Sequence, residues 1–90
     1  MNAMSYTVAN AVRCALSCNA WQPDRVLAFA ARVAPELDNS ALIMIQRYLE
    51  QDEWNFGCEA NRRAAYPHAK RLLTAVKREI LLRKTYEVAD

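Results

Sequence analysis

The scarcity of turn residues is the feature that most restricts the fold of this chain. Its 90 residues include one glycine and three prolines. A β-sandwich or β-barrel needs many turns, and glycine and proline supply most of them. Alanine, leucine, arginine, lysine, glutamate and glutamine are abundant instead, and all of them favour helices. The sequence therefore predicts an all-α fold, a small bundle of three to five helices that forms a single domain over residues 1–90.

Four segments have apolar residues at the spacing of one helix face. They predict helices over residues 5–19, 23–33, 40–55 and 67–86. Pro23 followed by Asp24 is typical of a helix start. Pro35 disfavours helical geometry at the preceding residue, so the second helix is expected to end there.

Several polar residues are candidates for capping these helices. We expect Ser5 or Thr7 to cap the first helix, because short hydroxyl side chains accept hydrogen bonds from free backbone N–H groups. Asp38, Asn39 and Ser40 are three candidates for the cap of the third helix.

The segment between the third and fourth predicted helices is ambiguous. Trp54 and Phe56 resume the apolar pattern of the third helix, and Gly57 is its expected stop. Residues 58–66 have helix propensity, but Pro67 interrupts them. Two arrangements remain open: a short helix that ends near residue 65 before a new one begins, or one long helix with a kink at Pro67.

Basic pairs recur at intervals close to seven in the fourth segment, at Lys70-Arg71, Lys77-Arg78 and Arg83-Lys84. Seven residues are nearly two helical turns, so successive pairs lie about 20° apart around a helix. Leu73, Val76 and Ile80 fall on another side and are expected to face the core. Five of the basic residues are predicted to bind a partner, and we call them the basic ridge: Lys70, Arg71, Lys77, Arg78 and Lys84.

The basic ridge has three interpretations. Residues 1–60 carry a net charge of −3 and residues 61–90 carry +5. The ridge can therefore pair with the acidic end of the third helix, around Glu50 and Glu53, in the same chain or in a second copy. It can also bind an acidic protein surface, or nucleic acid. Nucleic acid is the weaker of these two, because the aromatic residues do not alternate with the basic ones.

The third predicted helix begins with an apolar run that covers almost its whole circumference. Such a helix is typical of a central position or an oligomer interface. A thin core cannot easily hide the whole run, since a chain of this length buries only about 60–65% of its unfolded surface. We therefore expect a homodimer whose interface includes part of the run Leu42, Ile43, Met44 and Ile45.

Candidate metal and catalytic residues are few and poorly spaced. Cys14, Cys18, Cys58 and His68 are the only set that suggests zinc, and only one pair among them is close in sequence. A Cys58–His68 nucleophile pair has no recognisable orienting residue or oxyanion loop. We predict no metal, no cofactor and no enzymatic activity.

Two further patterns are better explained by structure than by function. The acids Glu50, Asp52, Glu53 and Glu59 are expected to form a solvated face, because a bundle of this size rarely encloses a pocket for acid–base chemistry. Residues 26–49 resemble a helix-turn-helix in outline. However, the second helix would present the apolar residues 41–45 where base contacts are needed.

The expected setting of the chain is the cytoplasm. No run approaches the roughly 20 apolar residues that span a bilayer, and the N-terminus lacks the features of a secretory signal. Three cysteines, an odd number, fit reduced thiols. The sequence thus favours a small non-enzymatic regulator or adaptor that acts by protein–protein interaction. Inhibitors, antirepressors and accessory proteins of bacteria and phages have a similar size and character.

Overall fold

The computed structural model describes residues 1–17, 22–51, 54–56 and 58–89. These residues form four α-helices and a short 3-10 helix, and no strand occurs among them: α1 (Ala3–Ser17), α2 (Pro23–Val33), the 3-10 helix (Ala34–Glu36), α3 (Asn39–Glu50) and α4 (Glu59–Ala89). The predicted all-α bundle is confirmed. Gly57, the expected stop of the third helix, lies outside the described residues.

The start of α1 differs from the prediction. The helix begins at Ala3, and the Asn2 side chain caps it by accepting a hydrogen bond from the Ser5 backbone N–H at 2.8 Å. Ser5 and Thr7 lie inside the helix, so neither is its cap. The hydroxyl of the buried Ser5 instead accepts the Asp38 backbone N–H at 2.9 Å.

Helix α2 has the predicted bounds. Pro23 occupies its first turn, and Pro35 lies in the 3-10 helix that follows it. Asp38 occupies the N-cap position of α3, but its side chain makes no capping bond to that helix. The Asp38 carboxylate binds the backbone N–H of Asn2 at 2.6 Å instead, which ties the start of α1 to the start of α3.

Helix α3 ends at Glu50, five residues earlier than predicted. Trp54 and Phe56 belong to a segment without regular secondary structure, although they continue the apolar pattern. Phe56 is buried in the core from this segment. The helical spacing of these aromatic residues therefore reflects burial rather than helix.

Helix α4 is one continuous helix that contains Pro67 in its interior. It begins at Glu59 and not at the proline. Of the two arrangements considered for this segment, the structure therefore has the single long helix that runs through Pro67. Its 31 residues correspond to a length of about 46 Å. The long dimension of the molecule, 47 Å, is close to this value.

The core lies between two pairs of helices. Helix α1 packs against α2 and α3, and α4 packs against the same two helices. Leu73 and Ile80 pack on this core and Val76 lies within it, as predicted. The core also contains fully buried residues from α2, α3 and α4, among them Leu27, Leu42, Ile45, Ala69 and Leu72. Helix α4 thus buries one face and presents the opposite face outward. Among the described helices, none has both the length and the apolar character needed to cross a bilayer.

Candidate functional site

The outward face of α4 carries all five residues of the basic ridge. Each of them is exposed: Lys70, Arg71, Lys77, Arg78 and Lys84. They lie on this face because the other side of the helix is fixed by buried residues such as Ala69, Leu72 and Val76. The distance along the helix axis from the first to the last is about 21 Å.

The ridge forms two rows. Lys77 lies toward α3, and Lys84 borders a depression that Ile43 of α3 also lines. Arg71 and Arg78 border a shallow depression toward α2, together with Pro35. The two rows therefore flank the exposed side of α4 rather than following a single line.

Among the residues that the structure describes, one residue of the ridge forms an ion pair within the chain. Lys77 Nζ lies 3.5 Å from Glu50 Oε1, and both side chains are about half exposed, at 53% and 46%. Glu50 also accepts a hydrogen bond from Gln46 Nε2 at 3.0 Å. The predicted pairing with the acidic end of the third helix is thus present for this one pair. Glu53, the other acid of that prediction, lies outside the described residues.

The pKa of Glu50 is lowered from its ordinary value, first by the hydrogen bond from Gln46 and then by Lys77. A carboxyl whose pKa is depressed by folding contributes its stability above the unfolded pKa. That contribution is lost as the pH falls through the folded pKa. The Glu50 contacts therefore persist at neutral pH.

The remaining cations of the ridge lack ion pairs with the described carboxylates. Glu79 is the only acid between residues 60 and 86. Its Oε1 is 3.1 Å from Arg83 Nε, so this acid is already engaged. The Lys70 ammonium lies 5.4 Å from the centre of the Tyr66 ring. The described carboxylates therefore leave the positive charge on this face largely uncompensated along its length.

Arg83 has a different position from the one that the basic pairs suggested. It is six residues after Lys77, and the missing residue turns it toward the core side of α4. Its guanidinium donates to Asn39 Oδ1 at 2.7 Å and to the Pro35 carbonyl at 3.1 Å. Arg83 therefore connects α4 to the 3-10 helix and α3.

Two leucines at the C-terminal end of the ridge were missed by the sequence interpretation. Leu81 is 65% exposed and Leu82 is 43% exposed. Leu81 is three or four helical positions from Lys77, Arg78 and Lys84, so these side chains are its neighbours on the surface. The signal was available in the sequence, because Leu81 falls outside the stripe of Leu73, Val76 and Ile80.

The predicted dimer residues divide into two groups. Leu42 and Ile45 are fully buried in the core of the chain itself, so they present no surface to a second copy in this fold. Ile43 is 44% exposed and Met44 is half-buried. The homodimer stays a prediction, and its interface on α3 is reduced to Ile43 and Met44.

The structure does not bring together the described members of the candidate metal and catalytic set, which are Cys14, Cys58 and His68. Cys58 precedes α4, and His68 is roughly 14 Å further along the helix axis, which is too far for a hydrogen-bonded pair. Cys14 is half-buried on α1, and Cys18 lies outside the described residues. In the described part of the chain, no three His, Cys, Asp or Glu side chains form a group suited to a metal ion.

The chain matches no protein-family model, no curated protein and no solved structure with which it was compared. The principal candidate site is the outward face of α4, because it carries the exposed basic ridge and two exposed leucines.

Proposed function

We propose that this chain is a small, non-enzymatic cytoplasmic regulator or adaptor that binds an acidic protein surface through the outward face of α4. The observation that carries the proposal is Leu81, an exposed leucine surrounded by exposed cations. Protein interfaces combine an apolar centre with a polar rim, and complementary charge directs their association. Leu81 supplies the first of these features, and the basic ridge supplies the second.

The same residue separates this proposal from nucleic-acid binding. Phosphate contacts require cations and other hydrogen-bond donors, and exposed leucines add nothing to them. A surface that combines basic and aliphatic side chains favours a partner that has acidic groups around an apolar patch. An acidic amphipathic helix and the edge of an acidic domain both meet this description.

The experiment uses the chain as bait in an extract of its native host, followed by mass spectrometry. The test variant is Arg71→Glu combined with Arg78→Glu, since neither residue makes an ion pair with a described carboxylate. Lys77 is avoided because its reversal would place like charge against Glu50. Arg13→Glu is the control, because Arg13 is exposed on α1 and its side chain bonds to Asn10 of the same helix.

A partner captured by the wild type is then purified, and its affinity is measured for each variant. The double reversal should weaken binding by more than tenfold, since facing like charges cost several kcal/mol. Leu81→Ser should weaken it without changing the net charge. The control variant should bind normally, and melting temperatures should stay within about 3 °C of the wild type, as surface substitutions change stability little.

Two results would overturn the proposal. One is a partner that binds the double reversal as well as it binds the wild type. The other is binding to generic duplex DNA whose affinity falls steeply with salt, by nearly one unit of logarithmic slope for each phosphate contact. The second result would establish the nucleic-acid alternative.

A further inference from the structure

The depression between α2 and α4 is a groove with a volume of about 430 Å³, and we call it the α2–α4 groove. It follows α4 from Arg71 to Leu82, which is a length of about 16 Å, or three helical turns. Small or apolar residues form most of its lining: Ala31, Ala34, Pro35, Ala75 and Leu82.

Two arginines of the basic ridge also line this groove. Arg71 and Arg78 are both exposed, and neither forms an ion pair with a described carboxylate. The groove contains one carboxylate, that of Glu79, and its Oε1 lies 3.1 Å from Arg83 Nε. The described lining therefore carries positive charge that an acidic partner can neutralise.

The acids outside the described residues belong to other parts of the chain. Residues 52–53, both acidic, directly precede Trp54. Trp54 lines a cleft toward α3, where α3 and α4 meet the segment 54–56, and no residue of that cleft lines the α2–α4 groove. The acidic positions near the C-terminus begin nine residues after Arg78, about 13 Å further along α4. The groove therefore lies on a different side of α4 from the neighbours of residues 52–53.

The spacing of the two arginines matches the repeat of an α-helix. Arg71 and Arg78 are seven residues apart, which is nearly two turns and about 10 Å along α4. A partner helix that lies along the groove has the same repeat, so its carboxylates seven residues apart can reach both arginines. In an extended strand, about three residues cover this distance, and an odd interval places the two side chains on opposite faces. The spacing therefore favours a helix over a strand.

The apolar lining provides space for a side chain between the two ion pairs. Ala31 and Ala75 are half-buried, and Ala34 is buried, so small side chains occupy the junction of α2 and α4. Packed helices approach to about 8–10 Å, and small residues leave room for the side chains of a third helix. On such a helix, an apolar residue four positions after the first acid lies on the same face as both acids.

We propose that the α2–α4 groove binds one amphipathic helix of an acidic protein, with carboxylates seven residues apart and an apolar side chain between them. The carboxylates pair with Arg71 and Arg78, and the apolar side chain packs on Ala31 and Ala75. This inference rests on the proposed function, because it names the element of the acidic partner that contacts the face of α4.

The first test uses two synthetic helical peptides of identical composition. The matched peptide has two glutamates seven residues apart and a leucine four positions after the first. The scrambled peptide has both glutamates on the face opposite to the leucine. The matched peptide should shift the backbone amide resonances of Ala31, Thr74 and Ala75 in ¹⁵N-labelled protein and bind about threefold or more tightly, as two exposed ion pairs allow. Equal binding of the scrambled peptide, or no saturable shift with the matched one, would overturn the inference.

The second test exchanges the charges of the two partners. Arg71→Glu combined with Arg78→Glu should bind the matched peptide more than tenfold more weakly, because like charges then face each other. A peptide with lysines in place of both glutamates should bind this double variant and not the wild type. If the exchanged pair does not bind, the two arginines do not contact the acids of the helix and the assignment is wrong.

The third test fills the groove without changing its charge. Thr74 is exposed in the groove, and its hydroxyl donates to the Lys70 carbonyl of the same helix at 3.2 Å. Thr74→Trp should weaken binding of the matched peptide and of the captured protein partner by about tenfold or more. Thr7→Trp is the matched control, because Thr7 is exposed on α1 and makes the corresponding bond to the Ala3 carbonyl. Circular dichroism should show both variants folded.

The outcomes separate the groove from the proposed function. A protein partner that binds Thr74→Trp normally but is lost with Leu81→Ser would leave the proposed function intact and contradict the groove inference. A partner that is unaffected by Leu81→Ser and by the double reversal would contradict the proposed function. In that case the matched peptide still decides whether the groove binds an acidic helix.

Discussion

At the scale of single residues, Ser5 links two helix starts. It is fully buried, and its hydroxyl accepts the backbone N–H of Asp38 at the start of α3. Its own N–H is bound by the Asn2 side chain, and Asn2 in turn binds the Asp38 carboxylate. One serine therefore positions α1 and α3 relative to each other.

Ser5→Ala should lower the free energy of unfolding by about 1–2 kcal/mol, because it leaves the Asp38 N–H without an acceptor. Thr7→Ala is the matched control, since the Thr7 hydroxyl is exposed and bonds only to the Ala3 carbonyl of its own helix. Urea denaturation of the two variants provides the measurement. Equal losses in the free energy of unfolding would show that the hydrogen bond from Asp38 to Ser5 does not stabilise the fold more than an exposed hydroxyl contact does.

Arg83 is a second residue whose role depends on contacts distant in sequence. Arg83→Lys keeps the charge but cannot reproduce the guanidinium contacts to Asn39, Pro35 and Glu79. We expect a loss of about 1–2 kcal/mol, which corresponds to a fall of several degrees in melting temperature for a domain of this size. The control is Arg78→Lys at an exposed position, and its melting temperature should equal that of the wild type. If the two variants have the same melting temperature, the contacts of Arg83 do not contribute to stability.

At the scale of the helices, the sequence predicted best where proline marks a boundary. Helix α2 has the predicted bounds because Pro23 and Pro35 act through local geometry. The end of α3 was missed because Trp54 and Phe56 continue its periodicity while being held by long-range contacts. The backbone bond from Asn55 to Leu16 is one such contact, and no local pattern encodes it.

The interior position of Pro67 leads to a prediction for α4. Proline in a helix interior lacks the N–H that would bind the carbonyl four residues earlier, and its ring strains the preceding turn, at a cost of about 3 kcal/mol. Proline also restricts the unfolded chain, and this effect offsets about 0.4–1 kcal/mol of the cost. Pro67→Ala should therefore stabilise the protein by about 2 kcal/mol.

Urea denaturation again measures the effect. Pro35→Ala serves as the control, because Pro35 lies in the 3-10 helix rather than within an α-helix. This control should give no comparable gain. A Pro67→Ala variant that is less stable than the wild type would mean that the proline fits α4 without strain.

At the scale of the whole molecule, composition and periodicity predicted the fold class and the buried face of α4. The exposure of the five ridge residues follows from the same periodicity. The cleft beside Trp54 was not predicted, because three separate parts of the chain form it. Arg83 was placed on the wrong side, since the interval of six residues was treated as equivalent to seven. Helix geometry decides the side on which Arg83 lies, so the sequence alone was sufficient to place it.

The predicted homodimer is tested by two substitutions that the structure separates. Ile45 is fully buried in the chain's own core, so Ile45→Glu should unfold the protein, because a buried unpaired charge is very costly. Ile43 is partly exposed and lies beside Ile80 and Lys84. Ile43→Glu should therefore stay folded, with a helical circular dichroism spectrum, and become monomeric by light scattering because a second copy can no longer pack on this surface. A wild-type protein that remains monomeric at high concentration would exclude the homodimer. A dimer that persists in Ile43→Glu would place its interface elsewhere on the molecule.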